Sequence, residues 1–428
     1  MDHGPWSIGI DRAANYGRSR TCSAHVSRET YDTFVRRPDS TIDDAVVPEL
    51  YDRDRVGKYE GMRMIETRDQ VQNLLDRMVA DGTELGVQVA AYVDGKLALD
   101  LSAGIADEET GRKVDRDTLF TVYSATKGVV ATAVHMLADR GLVDYEAPIA
   151  RYWPEFAENG KENTTLRHAL SHQAGVPQVP TGTTPALMCD WDYMTAAIAD
   201  LTPLWPAGSR TLYHGMTFGW ILGEIVRRVD GRTIRKFVNE EIGQPLGIRD
   251  LNIGLPEAEQ GRIARLKSVP AQGVGSVGVD HWNTAPLRAA IIPAAGGQFN
   301  AISLAHFYAA LANGGSLDGV RLLKPDQLTQ ATRPQTNPKD AAEIEMVFGL
   351  GYRLGGTVYS EASPMRSFST RASVFGHTGA GGAIGFADPE RRFAIGITKN
   401  LLRSAVPGTI FPTVTIVKAV RAALGVAE

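Results

Sequence analysis

Ser124 and Lys127 stand three residues apart in the stretch Thr121-Val122-Tyr123-Ser124-Ala125-Thr126-Lys127-Gly128. Apolar residues follow at Val129, Val130, Ala133, Val134, Leu137 and Ala138, and Gly141 closes the run. That spacing predicts a helix ending at a glycine C-cap, with Ser124 in its first turn and Lys127 one turn along. Residues three apart on a helix share a face, with Cβ atoms roughly 5–6 Å apart, so the amine can lie against the hydroxyl. A serine is a poor nucleophile until a base takes its proton. A lysine, which ordinarily titrates near about 10.4, becomes such a base when burial or a second cation favours its neutral form. The helix start adds unpaired N–H groups and a positive dipole end, where an oxyanion can be held. A capping serine followed by a surface lysine would give the same pattern, so the case rests on what the rest of the chain supplies.

Two further stretches carry suitable groups. Tyr213-His214-Gly215 follows the turn Pro206-Ala207-Gly208 and precedes a helical pattern from Gly219. A phenol titrates near about 10, and an ammonium beside it favours the phenolate, which can take a serine proton. A core or lid tyrosine would read the same way. His377-Thr378-Gly379-Ala380-Gly381-Gly382 closes a predicted strand. Glycines there let a ligand approach backbone, and the Ala380 N–H can serve as an oxyanion donor opposite that of Ser124. The plainer alternative is a hairpin strand with a satisfied histidine.

Taken in order, these motifs resemble the serine β-lactamase and penicillin-recognising fold, most closely class C β-lactamases and family VIII carboxylesterases. The resemblance runs from about Arg68 to the C-terminus. It includes Leu170-Ser171-His172-Gln173-Ala174-Gly175, which is similar to the family's Leu-Ser-His-x-x-Gly segment. It implies an acyl-enzyme on Ser124, base and acid roles shared by Lys127 and Tyr213, and an oxyanion site at the Ser124 and Ala380 N–H groups. His377, Gly379 and Trp282 are then expected to contact substrate; no metal or cofactor is expected. Two positions depart from the β-lactamase pattern. Gly215 stands where those enzymes have asparagine, and His377 where they have lysine. Both of the replaced side chains help bind the lactam, so an ester substrate is favoured. The rival expectations are an acyltransferase, amide hydrolase or weak β-lactamase on the same fold, and a non-catalytic ligand-binding member.

The elements that must position these residues can be read from periodicity. A helix is predicted over 68–81, with Val71, Leu74, Leu75 and Met78 on one face. A hairpin follows, strands 86–93 and 96–101 joined by Asp94-Gly95. Helices are predicted over 219–229 and 302–313, and late strands over 346–354, 374–379, 382–387 and 393–398. A last helix turns Val414, Val417, Val420 and Leu424 inward, with Lys418 and Arg421 toward solvent. The fold class expected is α+β: an antiparallel sheet flanked by N- and C-terminal helices, with a large helical insertion at about 148–339. Residues 1–62 read as an irregular extension and 63–428 as the hydrolase domain. Long, weakly periodic connections at 173–192 and 255–293 are candidate lids. Trp191, Trp205 and Trp282, in or beside them, either shape the substrate pocket or pack under loops.

Composition narrows the partners. In 428 residues, 45 Lys and Arg against 49 Asp and Glu leave a net charge of −4, with no electrostatic basis for binding nucleic acid or an anionic membrane. Cys22 and Cys189 cannot build a disulfide framework or a C-x-x-C metal site. No apolar run reaches the ~20 residues of a membrane span, and the first residues lack a signal-peptide pattern. The expectation is a cytoplasmic protein acting on a small-molecule ester.

Overall fold

Val87, Val89 and Ala91 alternate along one strand with Gln88, Ala90 and Tyr92, and the alternation puts them in two different cores. That strand is an interior strand of a seven-stranded antiparallel sheet in the computed structural model, which describes residues 53–269, 279–356, 363, 366, 368–403 and 409–428, with side chains from 67 onward. The architecture is that of the unit Lys58–Glu428, one of two into which the chain divides, the other being Met1–Gly57.

In chain order the elements that build the sheet and the site are helix α1 (Arg53–Ala80), strands β1 (Gly86–Val93), β2 (Lys96–Asp107) and β3 (Arg112–Lys113), helices α2 (Thr126–Asp139), α3 (Leu166–Leu170), α4 (Thr217–Asp230) and α5 (Ala301–Ala312), strands β4 (Arg353–Leu354), β5 (Phe375–Thr378), β6 (Ile384–Asp388) and β7 (Phe393–Lys399), and helix α6 (Pro412–Leu424). The sheet order is β4-β5-β6-β7-β1-β2-β3. The C-terminal strands therefore insert beside the N-terminal hairpin, with Val89 opposite Ile397 and His377 opposite Gly385.

One face of the sheet carries Val87, Val89, Ala91, Phe386, Phe393, Ile395 and Ile397. Helices α1 and α6 cover it with Val71, Leu75, Met78, Ile416, Val417 and Val420, each burial contributing roughly 1.5–3 kcal/mol. The other face carries small residues, Ala90, Ala387 and Ala394, and α5 lies against it through Leu304, Ala305 and Tyr308. Beyond α5, helices α2 and α4 pack on each other in the same large core.

The expected α+β layering holds, with several differences. Helix α1 begins at Arg53, ten residues inside the segment expected to be irregular, and the rest of that expectation lies outside the described residues. The predicted strand 346–354 shrinks to β4, because Gly351 takes a left-handed turn (φ 80°) and Phe348 folds back to bridge Arg353. The region about 148–339 carries many helices joined by long loops, and it also contributes strands. Leu251–Ile253 and Gly297–Phe299 join Phe120–Thr121 in a three-stranded sheet. Arg421 does not face solvent. It is buried and donates to Asp388 at 2.8 Å, because Asp388 at the end of β6 is itself fully buried and shared with Arg371.

Candidate active site

The segment that carries Ser124 is a strand, a strained turn and a helix in immediate succession. Phe120–Thr121 pairs with Gly297–Phe299, and Val122 donates to Gly297 O. Tyr123 then takes φ 48°, left-handed for a non-glycine residue, a conformation that costs about 1–3 kcal/mol. Its ring is buried edge-on against Trp282 at 5.2 Å between centroids, and Thr126 Oγ1 ties its carbonyl down at 2.6 Å. Ser124 sits in a 3-10 turn, Tyr123–Ala125, fused to the start of α2. The sequence expectation of one continuous first turn is thus replaced by a tighter one that projects the serine beyond the helix proper.

Lys127 follows within the first turn of α2 and is fully buried. Its Nζ lies 3.0 Å from Ser124 Oγ, 2.8 Å from Gly215 O and 2.9 Å from Ala294 O. Gly219 makes the third contact possible. A Cβ there would collide with the backbone of Ala294, so the glycine lets the 293–294 strand of backbone lie on α4 and aim its carbonyl at the amine. Two carbonyls thereby claim two N–H bonds, and the remaining valence of Nζ faces Ser124 Oγ.

Tyr213 is held by the Leu-Ser-His-x-x-Gly segment, which explains that segment's presence. His172 is also left-handed (φ 61°). Its carbonyl accepts from Leu212 N–H and its Nδ1 from His214 N–H, both at 3.1 Å, so the residues on either side of Tyr213 are fixed by one histidine. Thr211 N–H is taken by Asp340 at 2.8 Å. The Tyr213 ring packs against His172 and parallel to Phe348, with Lys127 Nζ 5.0 Å from its centroid. Its buried hydroxyl has no partner of full hydrogen-bond geometry, while Lys127 and Ser124 both act on it.

The late motif closes the site. Gly379 follows β5, and a Cβ there would strike Val122 O, so only glycine lets this strand end lie against the Ser124 turn. Ala380 is thereby brought beside that turn. Neither the Ser124 nor the Ala380 N–H enters the backbone hydrogen-bond network among the described residues. His377 is fully buried, its Nδ1–H donating to Thr378 O at 2.8 Å.

The electrostatics favour proton loss from the Lys127–Tyr213 pair. Burial pushes the Lys127 ammonium below its ordinary value, against the pull of Tyr213, and the nearby Arg353 guanidinium adds to the push. Burial alone would raise the Tyr213 phenol, but Lys127 and then Arg353 outweigh it and bring it down. His377 is held well below its ordinary value by burial, then by Arg353 and Lys127, so it is neutral where β-lactamases place a charged lysine.

The structure brings Ser124, Lys127, Tyr213 and the Gly379–Ala380 corner together. Of the three tryptophans Trp282 abuts the Ser124 turn, while Trp191 donates to Glu224 and Trp205 to Arg210 O. Sequence reading did not single out Arg353. It is buried on β4, donates from Nη1 to Thr378 Oγ1 at 3.3 Å, and places Cζ 4.7 Å from the Tyr213 centroid.

Buried histidines make the fold acid-sensitive. Burial lowers His135 and His214 to about 4, and His172 and His377 well below their ordinary value. The native chain leaves them neutral while the unfolded chain protonates them below about 6.5. Stability is therefore complete above that pH and declines as pH falls toward 4, by about 1.4 kcal/mol per pH unit for each histidine. Urea unfolding at pH 7, 6 and 5 checks this: a midpoint that falls is expected, and a flat one would count against neutral buried rings.

A fold of an antiparallel sheet between terminal helices and a helical region, with serine and lysine on one turn, defines a serine acyl-transfer scaffold. The chain belongs to the beta-lactamase family, whose model matches residues 71–410. Its relatives include the esterase/beta-lactamase LipL of Mycobacterium tuberculosis, 35% identical over 347 residues, 74% of this chain and 78% of that protein. Among solved structures, a family VIII carboxylesterase is 34% identical with a TM-score of 0.74, covering 83% of this chain and 97% of the other. A penicillin-binding protein homolog from Caulobacter crescentus is 35% identical with a TM-score of 0.73, covering 84% and 97%. Among the described residues no helix is long and apolar enough to cross a membrane.

Proposed function

We propose that the protein is a serine carboxylesterase that cleaves small carboxylic esters through an acyl-enzyme on Ser124. The observation that carries this is the contact of a fully buried Lys127 with Ser124 Oγ at 3.0 Å, beside Tyr213. Ser124 Oγ attacks the ester carbonyl as its proton passes to the Lys127–Tyr213 pair. The Ser124 and Ala380 N–H groups hold the oxyanion. The pair returns the proton to the departing alkoxide, which leaves as the alcohol. Water then repeats the sequence on the acyl-enzyme and releases the acid. Gly379 keeps the oxyanion corner close, and Trp282, edge-on to Tyr123, backs the turn that carries Ser124. His377, neutral and buried, shapes the floor of the site.

An ester is favoured over a lactam because the two departures remove recognition. Gly215 offers no side-chain amide, and His377 offers no charge to a lactam's carboxylate. The likeness to a family VIII carboxylesterase points the same way, and the LipL relative carries both activities in its name. We place the reaction in the cytoplasm, in keeping with a chain whose two cysteines form no framework; cell fractionation followed by an ester assay tests that.

The substrate class is tested by comparing p-nitrophenyl acetate and butyrate with nitrocefin. Ester kcat/KM is expected to exceed that for nitrocefin by at least about 100-fold, since two missing polar contacts at roughly 1.5 kcal/mol each account for that factor. Comparable turnover of nitrocefin would make the protein a β-lactamase first. Products carrying the acyl group on an added alcohol, in place of free acid, would make it an acyltransferase.

A further inference from the structure

Arg353 has the burial and fixed geometry of a functional residue, and nothing in the reaction just described uses it. Its backbone is set by pairing opposite Gly376 and by the bridge from Phe348. The neighbouring Leu354 N–H donates to Val347 O at 2.9 Å. Its side chain runs inward, only 7% of the residue being exposed. There Nη1 meets Thr378 Oγ1 on the late motif, and Cζ lies 4.7 Å from the Tyr213 centroid and 5.8 Å from that of Phe348.

We propose that Arg353 is a positioning residue for the nucleophile centre: its guanidinium, held over the Tyr213 ring, is a second cation that lets the Lys127–Tyr213 pair take the Ser124 proton near neutral pH. The inference rests on the reading of Ser124 as nucleophile. The physical reason is that a fixed positive charge about 5 Å away stabilises a phenolate and destabilises an ammonium, and a buried site screens it little. Both effects ease proton loss, so the charge helps whichever member of the pair accepts from serine. Among the described residues, the groups that face Tyr213 besides Arg353 are Lys127 from α2, Ser124 from the preceding turn, His172 after α3, Phe348, and His377 from β5. Burial keeps both histidines neutral. Among the described residues, Arg353 and Lys127 are therefore the cations that bear on the phenol. The guanidinium arrives from β4, one strand over from the His377 position.

A purely structural arginine, anchoring an edge strand on aromatic rings, would be needed for folding but would leave proton affinities alone. The rate at which a fluorophosphonate labels Ser124, followed from pH 5 to 10, separates the two and needs no knowledge of the natural ester. The wild-type rate is expected to rise with pH to a plateau. Arg353→Met is expected to move the midpoint of that rise up by about one pH unit or more, and Arg353→Lys to keep it near the wild-type value. A folded Arg353→Met with an unmoved midpoint overturns the proposal. If that variant does not accumulate, Thr378→Val, which removes the hydroxyl holding Nη1, is expected to move the midpoint in the same direction by less, and no movement there overturns it equally. A wild type that is not labelled at all would instead remove Ser124 as the nucleophile, a distinct failure.

Discussion

Substituting Ser124 by alanine is expected to abolish turnover of p-nitrophenyl butyrate while leaving the fold intact. The side chain is half-buried and accepts from Lys127 Nζ at 3.0 Å. Losing Oγ therefore costs little stability, while the acyl-enzyme route closes entirely. Because the groups of such a centre act as a unit, the loss in kcat is on the order of 10⁴-fold or more, leaving only what oxyanion binding gives to water. A normal circular dichroism spectrum with wild-type turnover would remove Ser124 from the mechanism.

The second large effect concerns the pair that activates it. Tyr213→Phe deletes a hydroxyl with no partner of full hydrogen-bond geometry, so its structural cost is small and its catalytic cost is read cleanly. A fall in kcat of about 10²–10⁴-fold is expected, the usual range for general-base help. Lys127→Ala is expected to lose at least as much. It also leaves Gly215 O and Ala294 O without their donor, at about 1–3 kcal/mol for the buried Ala294 O and less for the half-buried Gly215 O. A lower urea midpoint should therefore accompany its kinetic loss but not that of Tyr213→Phe. Near-normal kcat in either variant would strip that residue of its role, and equal destabilisation of both would contradict the hydrogen-bond assignment.

How much of this was readable before the structure depends on the distance over which each feature is determined. Ser124 and Lys127 are local: three residues on one turn, followed by a clean apolar period, suffice to place them together. Tyr213 and the Gly379–Ala380 corner come from far along the chain, and they were found through the order of their motifs and the resemblance it carries. Periodicity alone would have left them as a lid tyrosine and a hairpin. The two-sided sheet was legible from the Asp94-Gly95 hairpin and from the apolar faces of α1 and α6.

What stayed hidden depends on tertiary pairing. Arg353 lies in a segment that read as a strand, and nothing in Gly351-Tyr352-Arg353-Leu354 says that the guanidinium will be buried against Tyr213. Only the register with β5 and the fold-back of Phe348 put it there. Arg421 misled for the same reason. On the helix it stands one position beyond the buried Val420 and so read as solvent-facing, until Asp388 in β6 draws it in. The three-stranded sheet that braces the Ser124 turn is made of strands only two or three residues long, too short for any alternation to register. The left-handed Tyr123 leaves no compositional trace, since a tyrosine rarely takes that conformation, and the mild preference of histidine for it is too weak to mark His172.

The central claim is that Ser124 Oγ, prepared by Lys127 and Tyr213, becomes covalently acylated. Intact-protein mass spectrometry after brief mixing with p-nitrophenyl butyrate and acid quench tests it directly, with peptide mapping of the adduct. The expected result is one butyryl group per chain, mapped to the peptide containing Ser124 and missing in Ser124→Ala. Turnover with no adduct, or an adduct on any other residue, would contradict it.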